Sequence, residues 1–208
     1  ADGPVGGKFG EAIKIYSDIQ KASPRAKEGV LQRLAMAISL THAEPVFKRS
    51  GPSSDLVKVT EEMAKDPSFF IDPLQRYLNY EKWFLTGELH QGFKDLNVWN
   101  LMRVVDCMDP DEALAWGRQM LHTLRPDCIP DNDDTLVFVN VVDKEIKYGS
   151  DEVKNDLPEL QVMQNILANG GICGRRGFFG RFILQAFGVP STERIEPGHS
   201  TIAFWHPS

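Results

Sequence analysis

The chain has 208 residues, 42% of them hydrophobic and 25% charged, a composition that supports a folded protein with a sizeable core. Its formal net charge of −6 is spread along the chain rather than gathered in a block, which argues against nucleic acid or an anionic membrane surface as the main partner. No apolar run approaches the roughly 20 residues that cross a bilayer. The most apolar stretch, Leu31 to Leu40, is interrupted by Gln32 and Arg33, so no membrane insertion is expected.

The opening ADGPVGG without an initiator Met fits what remains after a targeting signal is cleaved, which sets an exported or organelle-lumen location as an expectation. The three cysteines, Cys107, Cys128 and Cys173, leave at least one without an internal partner, and a Cys107–Cys128 disulfide is one alternative. The five histidines are scattered and no C-x-x-C or H-x-x-x-H pair occurs, so neither a metal nor another cofactor is expected.

In chain order, Phe9 to Ala22 reads as an amphipathic helix with Phe9, Ile13, Tyr16 and Ile19 or Gln20 on its apolar side, ended by Pro24. Leu31, Leu34, Ala35, Ile38 and Ser39 keep the 3.6-residue period up to Pro45, and the two helices are expected to pair antiparallel. KRSGPSSD reads as a loop, after which Asp55 is placed to cap a helix running to Met63 or Ala64. DPSFFIDP breaks the chain again. From Pro73 a helix carries Leu74, Tyr77, Leu78, Trp83 and Phe84, with Gly87 near its end.

FKDLNVWNLMRVVDCM fits helix or strand. Asp109 to Leu124 reads as a helix with an Asp cap, Pro110 at its first position and acidic residues in its first turn. Thr135 to Val142 fits a strand by its β-branched content, or a short helix bounded by Asp134 and Asp143. Leu157 to Leu167 is expected to be helical, with Asn169-Gly170-Gly171 as its exit.

Cys173 then opens a run in which Phe178, Phe179, Phe182, Ile183, Ala186 and Phe187 recur at helical spacing, with Gly188 and Pro190 as stop signals. Backbone N–H groups at a helix start favour an anion, which suits a cysteine nucleophile and the oxyanion formed in acyl transfer. Gly177 and Gly180 fit the close approach of a packed neighbour. Thr192 to Ile195, a turn at Glu196-Pro197-Gly198, and His199 to Trp205 read as strand, turn and strand. Packing that hairpin on the Cys173 helix brings a thiol and an imidazole to one place, the combination of nucleophile and base.

Gly171-Ile172-Cys173 opening a helix, the Gly188-Val189-Pro190 exit and Gly198-His199 on a following strand resemble the core of the transglutaminase-like superfamily, over Gly170 to Trp205. The resemblance implies the cysteine-protease plan, with Cys173 as nucleophile and His199 as base in attack on a carboxamide or peptide carbonyl. Two departures stand out. Thr201 occupies the place where members commonly carry Trp, and STIAFWHPS offers no Asp or Asn to orient the imidazole. Three explanations follow: the chain is one piece of a cleaved precursor, it is a degenerate relative kept as a scaffold, or an upstream acid such as Asp143 or Glu196 substitutes.

The expected fold is α+β: a mostly helical region over 1–150, and over 151–208 a Cys-helix on a short antiparallel sheet, an incomplete transglutaminase-like core. Two functions are carried forward. One is a cysteine-dependent acyltransferase or hydrolase using Cys173 and His199. The other is a non-enzymatic scaffold subunit with a protein partner, or a second chain of the same precursor, at the C-terminal edge near Trp205. Lesser readings put an anion near Arg175, Arg176 and Arg181, an alternative base at His206, an oxyanion donor at Gln161 or Gln164, and calcium at Asp131 to Asp134. Surface ion pairs and solvated faces are the expected roles for these arginines, glutamines and acids.

Overall fold

A computed structural model describes residues 7–48, 60–149 and 162–204. The chain begins with α1 (Phe9–Ala22) packed on α2 (Gly29–Thr41). The bounds of α1 are those read from its sequence, but its buried side differs. Ala12 and Ile19 are buried and Ile15 and Tyr16 pack against the core, while Phe9 and Ile13 are exposed. The small Ala12 lets α1 lie close to its neighbours, and the contact line follows it rather than the larger Phe9. In α2, Val30, Leu31, Leu34, Ala35, Ala37, Ile38 and Ser39 are all buried, as befits a helix surrounded by others.

Asp55 lies outside the described residues. The short α3 (Glu61–Lys65) is capped by Thr60, whose hydroxyl accepts from the Met63 amide at 3.2 Å. Asp72 caps α4 (Pro73–Leu85) by accepting from the amides of Leu74 and Gln75, and Gly87 ends the unit at φ +73°.

The stretch that fitted helix or strand is a 3-10 turn at Gln91–Asp95 followed by α5 (Val98–Val105), capped by Asn97. Its buried residues Leu101, Val104 and Val105 lie three and four apart, so burial along one helix face outweighs the strand preference of its valines. In α6 (Asp111–Leu124) the cap position is Pro110. The expected cap, Asp109, is instead buried one residue earlier, where its carboxylate accepts from the Cys107 thiol at 3.4 Å and its carbonyl from Arg76 at 2.7 Å. The Thr135–Val142 run resolves into α7 (Leu136–Glu145), with Phe138, Val141 and Val142 buried and the Asp134 carboxylate accepting from the Leu136 amide.

The described part of the next helix is α8 (Met163–Asn169), left through Gly170 at φ +82°. It leads into α9 (Cys173–Ala186), then β1 (Ser191–Glu196) and β2 (His199–Phe204). The two strands pair antiparallel from Ser191 opposite Phe204 to Glu196 opposite His199. The fold is therefore α+β and mostly helical. One apolar cluster joins both parts of the chain, with Phe182, Ile183 and Leu184 in the same interior as Leu34, Tyr80 and Leu101.

Polar groups fix the far end of α9 to that interior. Tyr80 donates to the Gln185 carbonyl at 2.9 Å, Arg118 to the Ala186 carbonyl at 2.8 Å, and the Gln185 amide to Asp106 at 2.7 Å. Arg76, fully buried, spans the carbonyls of Cys107 and Asp109 and pairs with Asp111 at 2.6 Å. Among the described residues no helix is long and apolar enough to cross a membrane.

Candidate functional site around Cys173 and His199

The entry to α9 is set by two glycines. A Cβ on Gly170 would stand 2.4 Å from the Lys147 carbonyl oxygen, and its positive φ suits glycine alone. The Gly171 amide donates to that same oxygen at 2.9 Å, and the Gly149 amide donates to the Gly171 carbonyl at 3.2 Å. This short parallel bridge delivers the chain to Ile172, and Cys173 begins the helix as its first residue.

The three thiols occupy different environments. Cys107 and Cys128 are free and buried, so the disulfide entertained from their spacing is not formed. Burial, reinforced by Asp109, pushes the Cys107 thiol up to about 12, and burial with Asp127 nearby raises that of Cys128. Cys173 alone of the three is partly exposed. Ile172, the residue before it, and Tyr148, which is bridged to Gly171, are both exposed.

The glycines of α9 report how the hairpin lies on it. A Cβ at Gly180 would meet Ile202 at 3.1 Å and Val142 at 3.3 Å, while one at Gly177 would meet Ile202 at 3.7 Å and the Ser200 hydroxyl at 4.0 Å. The packed neighbour expected at these two positions is thus β2, joined by α7 at Gly180. Toward the start of α9 the contact moves from Ile202 to Ser200, so the Cys173 end of the helix and the His199 end of the strand coincide.

Strand alternation then separates the two side chains. Ser200 and Ile202 face α9, and His199, first in the strand and exposed, belongs to the opposite face. Among the described residues no hydrogen bond joins the Cys173 thiol to the His199 ring. On the helix-facing side the polar pair is Ser200 and Glu193, with the hydroxyl donating to the carboxylate at 2.8 Å. Sequence reasoning passed over this pair, although counting alternate residues from His199 would have located it.

The two upstream acids considered as orienting groups have different places. Asp143 is bound by Arg176, which also donates to the Ile146 carbonyl and sets its guanidinium 5.4 Å from the Tyr148 ring centre. Glu196 stands directly opposite His199 in the strand register, on the same outward face, and pairs with Arg194 at 3.2 Å. Arg181 pairs with Asp106 at 2.9 Å, and Arg175 is buried rather than on the surface.

Gln164 lies exposed on α8, while Gln161, Trp205 and His206 lie outside the described residues. In the Asp131 to Asp134 run, Asn132 accepts from the Asp134 amide and Asp133 from Gln91. Among the described residues no group of three His, Cys, Asp or Glu side chains converges as a metal site would require.

Compared with known proteins, the chain matches no family model, and no curated protein or solved structure matches it at a significant level.

Proposed function

We propose that the chain carries a transglutaminase-like cysteine acyl-transfer or hydrolase core. The observation behind this reading is the placing of Cys173: a partly exposed thiol as the first residue of a 14-residue helix, at the end of the helix-hairpin unit where His199 begins β2. The Cys173 sulfur bonds to the carbonyl carbon of a carboxamide or peptide, and its proton passes to the His199 imidazole. That proton then goes to the leaving amine as the C–N bond breaks. Water or a second amine attacks the resulting thioester, returning the thiol. The first backbone N–H groups of α9, at the positive end of the helix dipole, stabilise the oxyanion of each tetrahedral intermediate.

His199 lies on the outward face of β2, so this reading requires its imidazole to reach round the strand's first residue. That outward position favours a second reading, in which the same core is a non-enzymatic subunit and β2 receives a protein partner along the edge that, among the described residues, pairs with no other strand.

The deciding experiment incubates the native protein with a glutamine-containing peptide and hydroxylamine and measures hydroxamate, with intact mass recorded for a Cys173 acyl adduct. The enzyme reading expects hydroxamate formation abolished by Cys173→Ala and slowed about 100-fold or more by His199→Ala. If no adduct and no hydroxamate form in folded protein, and iodoacetamide labels Cys173 at the same rate with and without His199, the subunit reading stands instead.

A further inference from the structure

We propose that Glu193, held by Ser200, is a specificity subsite that takes a cationic side chain on the acyl donor, so that the peptide carbonyl attacked belongs to a basic residue. This inference rests on the reading of Cys173 as the nucleophile and adds a class of substrate to it.

Cys173, Gly177 and Gly180 stand four and then three residues apart, so they share one face of α9. Ile202 packs over Gly180 and Gly177, and the Ser200 hydroxyl lies 4.0 Å from where a Cβ on Gly177 would stand, so β2 covers this stripe and runs back toward the helix start. Strand residues rise about 3.4 Å each and helix residues about 1.5 Å, which brings the turn at Pro197-Gly198 level with Cys173. A Cβ on Gly174 or on Gly198 would meet nothing, so the space between the helix start and the hairpin tip is open.

The charge that faces this stripe is negative. Glu193 lies opposite Ile202 in the strand register and shares its helix-facing side. Its carboxylate accepts from the Ser200 hydroxyl at 2.8 Å, both residues are half-buried, and Glu193 makes no ion pair among the described residues. Of the nearby cations of α9, Arg176 is held by Asp143 and Arg181 by Asp106. A carboxylate with one donor bound keeps acceptor capacity for an ammonium or guanidinium group. Helix positions four apart have Cβ atoms about 5–6 Å apart, so one helical turn separates this carboxylate from the thiol. Its partner is therefore a group further along the substrate than the attacking or leaving amine, at the reach of a lysine or arginine side chain from its own carbonyl.

The test first labels Cys173 in the full-length protein with methanethiosulfonates of similar size, the trimethylammonium-ethyl cation and the sulfonato-ethyl anion, and locates the modified cysteine by mass. The cation-to-anion rate ratio should fall about fivefold in Glu193→Gln, which keeps an oxygen for Ser200, and stay within about twofold in Glu196→Gln, which removes the same charge from the outward face of the same strand. A ratio that Glu193→Gln leaves unchanged, or that both substitutions lower equally, would overturn the proposal. The second measurement compares hydroxamate formed from a lysine amide and from its uncharged norleucine counterpart, with the lysine amide expected to react at least about fivefold faster and to lose that advantage in Glu193→Gln. Equal rates from the two amides would overturn the subsite and leave acyl transfer in place. Charge-selective labelling with no hydroxamate from either amide would uphold the subsite and count against acyl transfer alone.

Discussion

At its C-terminal end α9 is gripped by Tyr80, Arg118 and Asp106 and buries Phe182, Ile183, Leu184, Gln185 and Ala186, whereas at its N-terminal end Cys173 is partly exposed and a Cβ on Gly174 would meet nothing. One helix thus has an anchored end and an accessible end. The interior holds the far half rigidly, and that rigidity carries along the helix to position a thiol that the interior does not itself enclose. The proposed acyl transfer needs access and a fixed direction at once, and this division of labour along a single element is consistent with both.

The anchored half is where substitution should cost most. Phe182→Ala removes a ring that is 1% exposed, stacked near Trp116 and pressed against Gly117, and should lower unfolding free energy by about 3–5 kcal/mol in denaturant titration. Cys173 labelling should become faster in that variant if the two ends are mechanically joined; unchanged labelling would separate them.

Acid should weaken the same interior through His42. Burial, with the Arg76 guanidinium nearby, holds its imidazole down at about 3 against an ordinary 6.5, while its Nε2 faces the Val105 carbonyl at 3.1 Å. Because the folded value is depressed, the unfolded chain binds the extra proton first as pH falls. The contribution is therefore present above about 6.5 and is lost progressively down to about 3. Stability measured across that window should fall toward acid, with a shallower slope in His42→Gln.

Smaller effects sharpen the contrast. Tyr80→Phe deletes the hydrogen bond to the Gln185 carbonyl and should cost about 0.5–1.5 kcal/mol. Gly174→Ala, made where space is open, should instead stabilise the helix by up to about 1 kcal/mol, seen as a raised unfolding midpoint. A loss there would mean that the accessible end is more tightly packed than its surroundings indicate.

The helices whose ends carry chemical signals were legible from sequence: Pro73, Gly87, Gly170 and Gly188 all mark ends that the structure reproduces. The bounds of α9 and the place of the hairpin turn were legible for the same reason, since glycine and proline act locally, although Glu196, read as part of the turn, ends β1 opposite His199 and leaves Pro197-Gly198 as the turn. Which face a helix buries was less so, as the exposure of Phe9 and Ile13 illustrates, because that choice belongs to the neighbours.

The β-branched run of α7 left strand and helix both open for the same reason, and packing of its apolar face settles it as helix. At the candidate site, position along the chain located Cys173 and His199 at one end of one unit. The side toward which the imidazole lies was set by strand alternation against α9, a relation that appears only once helix and hairpin are docked.

Gly170 and Gly188 both take positive φ, and a Cβ on either would collide, with the Lys147 carbonyl at 2.4 Å or the Phe93 ring at 2.7 Å. These two glycines work as fixed stops on a ruler, and α9 is the length between them. Insertion of one residue inside that length would turn Cys173 by about 100° and advance it by about 1.5 Å relative to the hairpin. Length variation in related or engineered chains should therefore accumulate in the connecting loops and spare the interval between the stops.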